Sequence, residues 1–149
     1  MKYILIFIFI VFSYSSNMQI LSKHFEYNQT ANIAKFIGDV NVTKESDNIL
    51  CKELYVYTSQ NNKLDKLLAK GNVRFIVKDN NSTYKGKSDK LTYIAPKQLF
   101  IFEGNVHITK LEDNQQLFGE KVIVNKKDGT AKVIGNKNKP LKFIIKVNE

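Results

Sequence analysis

Few residues of this chain could do covalent chemistry, and none of them are spaced to do it together. His24 and His107 stand 83 positions apart, with no H-x-H or H-E-x-x-H arrangement, so a histidine metal centre is not expected. Cys51 is the only cysteine. It rules out an intramolecular disulfide framework and a cysteine-cluster zinc site, and it reads as a small buried apolar side chain. Asp39, Glu103, Glu112 and Asp113 include no pair spaced for acid–base work. No Ser/His/Asp or Cys/His arrangement is present, nor a glycine loop of the kind that cradles phosphate, so the sequence argues against an enzyme and calls for no cofactor or metal. The formal charge is +9, yet 22 of the 23 basic residues are lysine and Arg74 is the sole arginine. Readers of nucleic acid lean on arginine forks, so no nucleic-acid partner is expected; the lysine excess suits an anionic surface or ligand better. The chemistry left to the chain is noncovalent.

The elements that carry such chemistry repeat. Gly38-Asp39-Val40-Asn41-Val42-Thr43, Gly71-Asn72-Val73-Arg74-Phe75-Ile76 and Gly104-Asn105-Val106-His107-Ile108-Thr109 are one hexapeptide at two intervals of 33 residues, and a worn copy begins at Gly135-Asn136. Fixed-period self-similarity marks a stacked repeat architecture. Between the glycine motifs, Cys51, Ser88 and Gly119 each begin a second element with apolar residues three and five places on: Leu54 and Val56, Leu91 and Tyr93, Val122 and Val124. Turn signals follow at Ser59 to Asn62, Ala95-Pro96-Lys97 and Lys126 to Gly129, the last holding the Asp-Gly hairpin pair.

Within the motifs the apolar period is 2. Counted from each glycine, positions −2, +2 and +4 are Phe36, Val40, Val42; Ala69, Val73, Phe75; and Phe102, Val106, Ile108. That alternation predicts half-buried antiparallel strands with one apolar face. Leu64, Leu67 and Leu68 have helical spacing, but they fall where the other repeats have strand, so an all-β chain is expected throughout. A glycine followed by Asn or Asp opens each motif and suits the positive φ of a bulge or bend. At typical strand lengths the chain has room for about eleven to fourteen short strands.

With 149 residues, 43% apolar and 25% charged, the chain is sized for one globular domain. Lys2, the apolar run Tyr3 to Phe12 and Ser13-Tyr14-Ser15-Ser16 read as a secretion signal, with Ser13 and Ser15 at positions −3 and −1 of a cleavage site. A membrane span needs about 20 apolar residues, more than this run offers. The expected organisation is a cleaved signal over residues 1–15 and a single domain over residues 16–149. The alternative is a retained N-terminal anchor.

The G-[ND]-V-x-[VIF] opening, the small-[DE]-K-[LV]-x-[YV] element and the K-x-D-G-x-A turn (Lys127, Asp128, Gly129, Ala131) resemble the OstA-like repeat family of LptA-type periplasmic lipopolysaccharide-transport proteins. The resemblance runs from Gly38 to about Gly135. Cys51 and Ser88 depart from it, since glycine or alanine is usual there. It implies a slightly twisted open β-jellyroll of stacked antiparallel hairpins, with a period of about 33 residues, V-shaped in section and apolar inside. It also implies a periplasmic protein that binds lipopolysaccharide through the lipid A acyl chains and bridges the inner and outer membranes. The expected groove residues are Phe36, Val42, Val73, Phe75, Leu91, Tyr93, Phe102, Val106, Ile108, Val122 and Val124, and Lys44, Lys78 and Lys110 are candidates for headgroup contacts at its rim. An N-terminal edge around Phe25 to Phe36 would meet an inner-membrane LptC-like partner. A C-terminal edge over Leu141 to Val147, with Leu141, Phe143 and Ile145 as its apolar residues, would meet an outer-membrane LptD-like partner. Head-to-tail self-association through the same edges is implied as well. Two other readings stand beside this one: a membrane-anchored LptC-like component of the same machine, and a structural β-repeat interaction protein without lipid cargo. Period-2 apolar residues also suit the closed core of a sandwich.

Overall fold

The computed structural model describes residues 18–79 and 82–147; the expected signal over residues 1–15 lies outside the described residues. Ten strands form one antiparallel sheet: β1 (Met18–Leu21), β2 (His24–Asn28), β3 (Ile33–Lys44), β4 (Asp47–Thr58), β5 (Leu64–Asp79), β6 (Ser82–Ile94), β7 (Leu99–Lys110), β8 (Gln115–Asn125), β9 (Thr130–Ile134) and β10 (Lys142–Ile144). Their order is β1-β3-β4-β5-β6-β7-β8-β10, with β2 also on β3 and β9 also on β8, so the first strands never meet the last and the sheet stays open. The leucines at helical spacing lie in β5, as the repeat register requires. A 3-10 turn over Ala95–Lys97 occupies the expected Pro96 turn.

The strands are fewer and longer than the expected about eleven to fourteen: β3 to β8 run 11 to 16 residues each. The reason lies in the glycines. They do not open strands; they sit in the middle of β3, β5 and β7 and bend them there. Ile37 pairs with Glu53 and Val40 with Cys51, so Gly38 and Asp39 together face Lys52 alone. Gly71-Asn72 face Asp89, and Gly104-Asn105 face Glu120, in the same way. Both residues of each bulge have positive φ: 89° and 45°, 86° and 46°, 84° and 50°. Glycine takes that region without steric cost, and Asn and Asp tolerate it better than other residues.

The bulge also explains the spacing of the second element. Opposite each bulge the partner strand has one residue fewer, so its inward set jumps from Cys51 to Leu54, from Ser88 to Leu91 and from Gly119 to Val122. A three-residue step therefore replaces the usual two, without moving any apolar side chain to the outer face. The bulges of successive hairpins stand side by side, which creases the whole sheet along one line. The sheet's two ends split at this crease. At one end β1 and β2 pair with the two halves of β3; at the other, β10 and β9 pair with the two halves of β8. Gly135-Asn136, the worn copy, marks the crease at the latter end, where the chain leaves the sheet before returning as β10.

One face of the creased sheet is the core. Val40, Val73, Val106 and Val122 line the crease and are the largest fully buried side chains. Among the described residues two buried ones are polar, and both are satisfied: Ser88 Oγ donates to the Lys90 carbonyl at 3.0 Å and Thr58 Oγ1 to the Asn32 carbonyl at 3.4 Å.

Candidate functional site

All the residues expected to form an apolar face do share the inner face. Phe36, Val42, Val73, Phe75, Leu91, Phe102, Val106 and Val122 are buried in one cluster, and Ile108 and Val124 pack half-buried against it. Tyr93 pairs with Phe100 across β6 and β7, the rings 4.4 Å apart. Burial raises the phenol pKa of Tyr93 above its ordinary value, as removal of an anion from water must.

The crease brings together residues that the sequence leaves apart. Phe75, beyond the bulge of β5, meets Phe102, ahead of the bulge of β7, with ring centroids 4.8 Å apart at 38°. β6 lies between their strands, so they touch because the two halves of the sheet approach over the crease. Phe102 in turn stacks on Phe100 at 6.5 Å, and Tyr93 completes an aromatic run across the interior. Gly119 and Val133 make a second contact between the halves; a Cβ on Gly119 would stand 2.9 Å from Val133 Cγ1.

Sequence reasoning missed several contributors, Ile49 and Leu117 among them, and three are instructive. Phe100 has the parity of Phe102 and could have been found by extending the alternation two places. Gly86 is an inner position of β6 directly opposite Phe75, whose ring occupies the space a side chain would take. A lone glycine inside an alternating strand is the signal for such a close approach. Val133 sits on the short strand β9, which the worn repeat hides.

The remaining singled-out residues take ordinary roles. Cys51 is buried, and burial pushes its thiol up to about 11, which leaves it protonated and inert near neutral pH. His107 is on the outer face, stacked on Phe118 at 4.1 Å, with Nε2 3.0 Å from Gln116 Oε1. Lys44 and Lys110 end their strands half-buried, at the parity of the core-facing Val42 and Ile108. Lys78 alternates with the core-facing Val77 and points outward. Along the outer side of the crease, Lys23 reaches Asp39 at 2.9 Å and Asn105 donates to Asp89 at 3.0 Å, both pairs in water. These contacts brace the bulges and offer no buried reactive group.

The edges are real but placed differently from expectation at one end. The N-terminal edge is β1 and β2, so Phe25 is on it while Phe36 lies one strand in, on β3. At the C-terminal end β10 leaves one side unpaired, and Leu141, Phe143, Ile144, Ile145 and Val147 are exposed. Phe143 pairs with Leu117 and so continues the inner face to the end of the sheet.

No curated protein sequence matches this chain. A solved structure does: LptH, the LptA homologous periplasmic component of the conserved lipopolysaccharide transport device from Pseudomonas aeruginosa, superposes with a TM-score of 0.75 at 12% identity, over 89% of this chain and 96% of that one. At that identity the likeness speaks for the fold, an open all-β jellyroll. The family described as LptA/(LptD N-terminal domain) LPS transport protein matches residues 19–132, which span all three full repeats and every strand from β3 to β8. With that match over most of its length, the chain belongs to the LptA/(LptD N-terminal domain) family of lipopolysaccharide transport proteins.

Proposed function

We propose that this protein is a periplasmic bridge that carries lipopolysaccharide from the inner to the outer membrane, holding the acyl chains against its inner face. Exposure of apolar surface to water costs about 0.8 kcal/mol per methylene, so one chain of about 12 carbons crossing bare would cost about 10 kcal/mol. A carrier needs a continuous apolar trough with open ends, and no catalytic group. The observation that carries the reading is the inner face itself: it stays apolar from Phe25 on β2 to Phe143 beside Leu117, through every repeat, on a sheet whose two ends are unpaired.

In this reading the segment over residues 1–15 is a cleaved export signal and residues 16–149 are the working domain. Phe36, Val42, Val73, Phe75, Leu91, Tyr93, Phe102, Val106, Ile108, Val122 and Val124 line the trough, and sugars and phosphates stay in water beside Lys44 and Lys110. β1 and β2 dock an LptC-like inner-membrane partner. β10, with Leu141, Phe143 and Ile145, docks an LptD-like outer-membrane partner or a second copy by strand addition.

A photo-crosslinking amino acid tests it. Placed at Tyr93 or Ile108, inner positions that are only half-buried, it should capture lipopolysaccharide; placed at Lys87 on the outer face, it should not. Equal capture from both faces, or none from the inner one, rejects the trough. Ile108→Asp should lower capture at least tenfold, because an unpaired carboxylate among acyl chains is strongly disfavoured.

A further inference from the structure

Because the three hairpins are copies, their inner positions can be compared one against another. Two places beyond the crease valine, the directly paired residues are Val42 and Ile49 in the first hairpin, Phe75 and Gly86 in the second, and Ile108 and Leu117 in the third. The outer hairpins share the volume between both strands. The middle one gives all of it to Phe75 and none to its partner. Two places before the bulge glycine the pattern inverts again: Phe36 and Phe102 flank Ala69.

The first of these departures makes a contact across the halves. With no side chain on Gly86, the Phe75 ring lies over it and reaches Phe102 in the opposite half of the sheet, 4.8 Å between centroids. A Cβ on Gly86 would strike that ring, 2.9 Å from its Cε2, and the His107 carbonyl oxygen at 2.8 Å. The pairs Phe25–Phe36, Tyr93–Phe100 and Phe100–Phe102 each stay within one half. Among the described ring pairs, only Phe75–Phe102 joins the halves. Both its members are buried, whereas the next inner residues toward the rims, Val77 and Phe100, are half-buried. In the middle hairpin this contact closes the interior between the halves; in the first hairpin Ala34 and Val56, nearer the rim, are buried without such a ring contact.

We propose that Phe75 and Phe102 form an aromatic gate across the middle of the trough, closed while it is empty, and that Gly86 is the seat that lets the Phe75 ring lie across it. The gate rests on the reading that apolar chains occupy the inner face: a chain passing from the β5 side to the β7 side must part these rings. The cost of parting them slows entry, and the contact, once remade, shuts the empty interior against water. Phe36, the repeat equivalent of Phe102, packs on Phe25 in its own half and has no such role.

Stopped-flow uptake of two probes tests the gate: the apolar dye 1-N-phenylnaphthylamine and a fluorophore-labelled lipid A. Phe75→Ala should raise the dye uptake rate about three- to tenfold, the factor an aromatic pair is worth. Phe118→Ala, which removes an aromatic stacked on His107 on the outer face, should change it less than about twofold. Gly86→Ala unseats the ring and should also speed uptake; should that variant not fold, Phe102→Ala opens the gate from its other side. A Phe75→Ala rate equal to wild type, or changed only as much as that of Phe118→Ala, overturns the gate, as does failure of every variant to take up dye. A wild-type protein that admits dye through the gate but never lipid A leaves the gate standing and removes the transport reading.

Discussion

Glycine is expected to matter at the bulges for two separable reasons, and three glycines of this chain pull them apart. Gly71 has φ +86°, and a Cβ there would lie 2.8 Å from Lys52 Cβ and 3.0 Å from its Cγ. Gly129, in the turn between β8 and β9, has φ +73° with nothing within 4 Å. Gly86 is crowded but has no positive φ. An alanine held in the left-handed region costs about 1–2 kcal/mol, partly offset by about 0.4–1 kcal/mol from a stiffer unfolded chain. Gly129→Ala should therefore lose between about 0 and 1.6 kcal/mol. Gly71→Ala carries the same conformational cost and an overpacking cost of about 1–3 kcal/mol, because Lys52 Cβ is fixed to its strand and cannot swing away as a lysine tip can. The difference between the two variants should be about 1–3 kcal/mol, or about 4–12 °C in Tm for a domain of this size. Urea unfolding followed by far-ultraviolet circular dichroism suits a chain without tryptophan. Lys52→Gly should restore part of the loss in Gly71→Ala, since it removes the atoms struck. If Gly71→Ala and Gly129→Ala fall by the same amount, crowding at the crease is not what demands glycine, and the argument from packing fails.

Other consequences are simpler to state. Removing residues 141–149, or making Ile144→Pro, strips the exposed apolar edge beside β8 and should abolish concentration-dependent self-association in sedimentation while lipid capture persists; oligomers unchanged by the truncation would mean another edge is used. Glu112 accepts the Thr83 backbone N–H at 2.8 and 3.0 Å, and this bond, the largest cause, holds its carboxyl below the ordinary value. The unfolded chain thus binds the proton more readily than the folded one, so the stabilisation is present above the ordinary carboxylate pKa and lost as pH falls through the lower folded value. Glu112→Gln should flatten that part of the profile of Tm against pH, and an unchanged acid slope would discount the bond. Lys44 and Lys110, at inward strand ends, should make lipopolysaccharide binding weaken as ionic strength rises past about 0.1 M, where the screening length is about 10 Å; binding that is flat with salt removes them from the headgroup site.

Much of this fold could be read from the chain alone, because its signals are local. Alternation of period 2 put Phe36, Val40 and Val42 on one face without any knowledge of what they touch, and the 33-residue interval made the hairpins equivalent. Gly-Asx pairs announced positive φ, a property of two residues and their own backbone. Tertiary structure decided what those bends accomplish. The step of three from Cys51 to Leu54 looks irregular in sequence and becomes regular only against the extra residue of Gly38-Asp39 on the neighbouring strand. Which strands end the sheet depended on β1 and β2 sharing β3, a pairing no local pattern encodes. Phe75 and Phe102 lie 27 residues apart on strands that do not pair, and their contact depends on how sharply the sheet closes over its crease. Alternation tells each side chain which face to take; only the angle between the two halves determines which of those side chains meet across the interior.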